Sequence, residues 1–140
     1  MKHKLIRRDE QGAAAIEFAI AVPILVFFIY GIFQVGLLFE ANAGMQHALG
    51  EGARLASLYD TTTTSHVPSD TAIKARINTK LYGQNGGSFT VSDPVTVTNS
   101  ASGTYKTLQV SYTRQMSFLL APGPSVTLTR TKRVYTTVNT

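Results

Sequence analysis

The sequence predicts an α+β fold, in which one long N-terminal helix packs on a small antiparallel sheet of three strands. Three observations carry that expectation. Residues 13–39 form a stretch of 27 residues that only Glu17 and Gln34 interrupt with charge or amide. A ridge of small residues at four-residue spacing follows it. After Ser88 the apolar period changes from helical to alternating, as it does where a chain passes from helix to half-buried strand.

The first element is a leader. Met1–Gly12 carries four of the chain's thirteen basic residues (Lys2, Lys4, Arg7, Arg8) and two of its eight acidic ones. Without it the net charge falls from +5 to about +3. The basic balance therefore does not point to nucleic acid, because no basic face is interleaved with aromatics. The chain has no cysteine, so neither disulfides nor thiolate metal sites enter the reading.

The second element is a membrane-spanning helix over residues 13–39. About 20 apolar residues cross a bilayer as a helix, and backbone groups in lipid must be satisfied within the segment. The flanks set the direction. Lys and Arg crowd the N-terminal side, and the next one is Arg54. The positive-inside bias thus places Met1 in the cytoplasm and the rest beyond the membrane. A cleaved secretory signal fits poorly. Its small-residue cleavage site follows the apolar core, whereas Gly12, Ala13, Ala14 and Ala15 precede it here. A cut at this place would leave the helix on the product.

Glu17 is the residue that needs a reason, since a carboxylate within an apolar span is costly and rarely without purpose. It lies four residues, about one helical turn, from Ala13. A new α-amino group at Ala13, of this subunit or a neighbour, could pair with it; the bland alternative is a carboxylate snorkelling to water. Gly12 reads as a narrow-cleft cleavage residue or as a flexible junction. Pro23 lacks an N–H and should kink the helix.

Gly12, then Ala13-Ala14-Ala15-Ile16, then Glu17-Phe18 behind a basic leader resembles the cleavage region of type IV prepilins. The fuller stretch GAAAIEFAIAVPIL followed by AGMQHALGEGARLAS resembles the TadE-like family of the tight-adherence (Flp) pilus machinery, over about residues 11–57. The resemblance implies cleavage between Gly12 and Ala13 by a prepilin peptidase, pairing of Glu17 beside Phe18 with the N-terminal amine, and a part in assembling a pilus. It also implies other pilin-like proteins as partners and a place in the bacterial inner membrane. It covers the TadE and TadF types alike.

Residues 40–59 should continue the helix outside the membrane. Met45, Leu49, Gly52, Ala56 and Tyr59 form a helical stripe, with Gly44, Ala48, Gly52 and Ala56 as a ridge beside it. Such a ridge lets another backbone come close, either of the chain's own sheet or of another pilin-like helix. Glu51 and Arg54 read as a solvated i, i+3 pair.

Residues 60–140 should form the small outer domain. Asp60–Asp70 is a polar loop. A short helix over about 71–82, with Ala72, Ile73, Ile77 and Leu81 on one face, is expected to end at Gly83 as its C′ residue. Strands are expected at about 88–98, 105–119 and 125–138. Phe89, Val91, Val95 and Val97 share one parity, with a bulge or edge at Asp93-Pro94. Leu108, Val110, Tyr112, Met116 and Phe118 share another, and Val126, Leu128, Val134 and Val138 a third. NSASGT and APGPS read as turns, the second with Pro122-Gly123 suited to type II.

His3, His47 and His66 have no partnering spacing, and no nucleophile elbow, P-loop or zincin motif occurs. The expectation is a non-enzymatic structural protein with no cofactor, metal, nucleic acid or small-molecule substrate. The competing reading is an uncleaved single-pass envelope protein whose sheet binds a ligand or surface.

Overall fold

The computed structural model describes residues 3–58, 68–99, 103–118 and 121–136, with side chains from residue 12 onward apart from 99 and 121. Tyr59, most of the Asp60–Asp70 loop with His66, and Val138 lie outside the described residues.

Helix α1 (His3–Ala56) runs unbroken through Pro23. Its two halves differ in what they meet. Ile16, Phe18, Ile20, Ile24 and Phe28 are exposed, whereas Ala41, Met45, Ala48, Leu49, Ala53 and Ala56 are buried. Helix α2 (Asp70–Lys80) starts where the Ser69 hydroxyl accepts from the Ala72 amide, satisfying one of the orphan donors of the first turn. Asp70 in that turn and Lys80 in the last complement the helix dipole.

Four antiparallel strands follow: β1 (Ser88–Val91), β2 (Val95–Asn99), β3 (Gly103–Phe118) and β4 (Ala121–Tyr135). β3 is the centre. β4 pairs with it from Tyr105 to Phe118, so β1 and β2 share its other edge, end to end. The single first strand expected from the sequence is thus two strands, broken over residues 92–94. The three-lane plan is otherwise as the alternation predicts.

The break has a consequence the parity pattern misses. Val91 pairs with Val110, but Val95 pairs with Thr107, so the register moves by one residue between them. A one-residue shift turns every side chain to the other face. Phe89 and Val91 therefore face the helix with Tyr112 and Val110, while Val95 and Val97 face outward with Thr107 and Tyr105. Val91 is 8% exposed and Val95 58%.

Two other expectations are corrected. α2 stops at Lys80, and its cap Leu81 is already extended. Gly83 (φ +78°) is not its C′ residue. It lies against the α1 main chain, where a Cβ would come within 2.9 Å of the Glu40 carbonyl carbon. The β3–β4 reversal falls between Phe118 and Ala121, which pair with each other, so Pro122-Gly123 lies inside β4 rather than in a turn. A register shift between Gln115 and Ser117 accommodates this region.

The core joins the outer half of α1, Ile73 and Ile77 of α2, and Val91, Leu108, Val110, Tyr112 and Val134 of the sheet. Tyr112 is fully buried and its hydroxyl donates to the Gln84 carbonyl at 2.8 Å. Burial holds its phenol above the usual tyrosine range.

Candidate functional site

The ridge on α1 meets the chain's own domain. A Cβ on Gly44 would strike the carbonyl oxygen of Tyr82, and one on Gly52 would strike the Ile77 side chain and approach Leu108 at 3.6 Å. Ala48 and Ala56 are buried in the same core. Of the two partners the sequence allows for Gly44, Ala48, Gly52 and Ala56, the intramolecular one is observed.

The cleavage-motif residues are at the other end of the helix. Gly12 to Gly44 is 32 residues, about 48 Å at 1.5 Å per residue. Gly12, Ala13, Glu17, Phe18 and Pro23 are all exposed, with Phe18 at 70%. A Cβ on Gly12 would meet nothing within 4 Å, so packing does not require glycine there. Glu17 makes no hydrogen bond or ion pair with a described residue. The structure therefore leaves both positions accessible and does not join the motif to the ridge.

Between these ends α1 is long and apolar enough to cross a membrane, and its most apolar stretch is unburied by the rest of the chain. Ile24, Leu25, Val26, Phe27, Phe28 and Ile29 are consecutive and all exposed. Six successive helical residues point to every side of the axis, so the surface is apolar all round, as a lipid solvent demands.

Above the apolar stretch polar contacts fasten helix to domain. Asn85 donates to Glu40 at 2.7 Å and Arg130 to Asn42 at 2.6 Å. Glu51 receives Arg76 of α2 at 2.6 Å, as well as Arg54 at 3.8 Å. Arg76, with desolvation opposing it, holds the Glu51 carboxyl below the usual range. Lys74 meets Asp93 at 2.6 Å, and Lys106 bonds Asp70 at the start of α2.

Three of these features escaped the sequence reading. Arg76 as partner of Glu51 is 25 residues away and carries no local signal. Lys106 shares the inward parity of Leu108 and Val110, and a cation on that parity was the available hint. Gln34, only 2% exposed, donates from Nε2 to the Ser117 carbonyl at 3.0 Å, while its Oε1 is without a partner among the described residues. The amide's place inside the apolar run was its signal.

An apolar helix of membrane-spanning length whose outer half forms one core with a small antiparallel sheet defines a class: an α+β protein with one helix long and apolar enough to anchor it in a membrane. The family comparison makes this particular. Residues 12–54 match the model of the TadE-like protein family. The resemblance thus holds from Gly12 to Arg54, and the chain fits a membrane-anchored protein related to the Tad pilus. No curated protein and no solved structure matches the chain.

Proposed function

We propose that this protein is a pseudopilin or minor pilin of a tight-adherence (Flp) pilus system, held in the bacterial inner membrane with its α+β domain outside the cytoplasm. A prepilin peptidase trims it after Gly12. Glu17 then pairs with the amine of Ala13, of the same or a neighbouring subunit, and guides association with other pilin-like proteins. The observation that carries this reading is the family match that begins at Gly12, the residue the motif sets as the cut.

Three supports are physical. The most apolar stretch of α1 is unburied by the described residues, so lipid is its natural solvent. Glycine at position 12 answers no packing need among the described residues, so its side-chain position is open to a peptidase cleft. Glu17 is exposed and one turn from the new amine, so pairing would offset part of its desolvation in lipid.

The mass of the membrane-extracted protein tests the cut. Loss of residues 1–12 is expected, and an intact Met1 on active protein overturns it. Gly12→Leu should block trimming while insertion persists. Glu17→Ala should insert as well as the parent yet recover less of its pilin-like partners from detergent. Equal recovery would remove the assigned role of Glu17.

A further inference from the structure

The end of the β3–β4 hairpin lies beside the apolar half of α1, below the core. Phe27, Phe28, Ile32 and Phe39 of the helix and Met116 and Phe118 of β3 line one groove of about 620 Å³. Phe118 is 44% exposed and Phe39 69%. No charged residue occurs from Gln115 to Thr129, and the cations that close this interval are Arg114 on β3 and Arg130 on β4.

Depth can be read along the helix. Glu17 and Glu40 bracket the uncharged span and are 23 residues apart, about 35 Å, against a hydrocarbon core of about 30 Å. Gln34, which holds Ser117, is six residues before Glu40, about 9 Å toward the membrane. Interfacial segments bury their apolar face by about 5–10 Å. Open strand edges are not tolerated in the hydrocarbon itself, so the hairpin has reason to stop at that layer. The Gln34 amide satisfies a strand carbonyl next to the Gln115/Ser117 register shift. Arg130 is fixed to Asn42, two residues or about 3 Å beyond Glu40 along the helix.

We propose that the end of β3 at Met116 and Phe118 is a second membrane contact, with both side chains in the interfacial layer of the extracytoplasmic leaflet and phospholipid acyl chain in the groove against α1. The inference rests on the membrane-anchored reading of α1 and adds a fixed orientation: one helix alone leaves the domain free to tilt and spin, whereas helix plus hairpin sets which face of the sheet looks along the membrane.

The chain has no tryptophan and no cysteine, so single reporters are clean. Full-length Phe118→Trp, Phe28→Trp and Tyr135→Trp proteins are reconstituted in phosphatidylcholine–phosphatidylglycerol vesicles. Phe118→Trp should emit to the blue of Tyr135→Trp and lose most of its emission to lipid nitroxide-labelled near the headgroup, with little loss to aqueous iodide. Phe28→Trp should be quenched by lipid labelled deeper in the chain. Iodide quenching of Phe118→Trp equal to that of Tyr135→Trp, with Phe28→Trp still lipid-quenched, overturns the hairpin contact and leaves the anchor standing. A Phe118→Trp shielded from both quenchers means a protein partner or second copy in the groove, which also overturns it. Loss of lipid quenching at Phe28→Trp overturns both. Should tryptophan distort the tip, Phe118→Cys supplies the same decision: a membrane-impermeant maleimide should modify it far more slowly than Tyr135→Cys, and equal rates overturn the proposal.

Discussion

Gly44 and Gly31 share one helix and one residue type but have opposite demands on them. Around Gly31 a Cβ would meet nothing within 4 Å. Around Gly44 it would meet the carbonyl oxygen, carbon and nitrogen of Tyr82, which are main chain and cannot rotate away. That segment is itself pressed on α1 by Gly83, so it has little room to retreat. Gly44→Ala should therefore destabilise the domain by about 1–3 kcal/mol, the usual cost of overpacking. Gly31→Ala should not destabilise it, since alanine favours helix over glycine by about 1 kcal/mol. Urea unfolding in detergent, followed by circular dichroism, separates the two. Equal midpoints would mean that the α1–Tyr82 approach is not a feature of the folded protein. Gly12 belongs with Gly31 in its surroundings, which is why Gly12→Leu can be read as a defect of trimming.

At the scale of elements, α1 and α2 are tied by chemistry as well as by Ile73 and Ile77. Glu51 accepts from Arg76, and that contact is the first cause of its lowered pKa. A carboxyl depressed in the folded state adds stability above its unfolded pKa, and this is lost as pH falls through the folded value. The stability difference between the parent and Arg76→Gln should accordingly be present at neutral pH and shrink in acid below the ordinary glutamate range of about 4.3. Chemical unfolding of both proteins across that range measures it, and a difference that persists unchanged in acid would assign the loss to packing of the Arg76 stem. The same element shows what a sequence can and cannot tell. Apolar periodicity located α1, α2 and the strands because burial of one face is a local, repeating demand. Asp93-Pro94 signalled the break at residues 92–94, but parity could not give the change of facing there, because parity is counted along the chain while facing is set by the partner strand. Val95 and Val97 are odd-numbered like Val91 and still face outward. Pro122-Gly123 likewise has turn chemistry, but pairing of Phe118 with Ala121 places the reversal earlier. Gly83 has the composition of a helix stop and serves a close approach. The motif at Gly12–Phe18 was legible because its residues are contiguous, and Lys106–Asp70 was not because 36 residues separate the pair.

The whole molecule divides by solvent along one helix. Every buried apolar residue of the core lies between Ala41 and Val134, and none belongs to the membrane-length half of α1. The outer half of α1 is thus an ordinary core helix, with three glycines between Gly44 and Gly52 that weaken it in isolation and a sheet and second helix that restore it. Of the inner half, Leu38 near its outer end packs against that core, while the most apolar stretch is unburied by the described residues. A fragment of residues 37–140 should then fold in water with cooperative urea unfolding and native-like helix and strand content, because removing residues 1–36 leaves that core intact. Lost with them are the Gln34 amide on Ser117 and most of the helix side of the groove over Met116 and Phe118, which frees the end of the hairpin. The fragment should for that reason self-associate through exposed Met116 and Phe118, and Phe118→Ser should return it to a monomer in sedimentation without lowering its stability by more than about 0.5 kcal/mol, as expected for a partly exposed site outside the core. Non-cooperative unfolding of the fragment would mean that the apolar half supports the fold directly, and the division of the helix into a lipid-facing half and a core-forming half would fail.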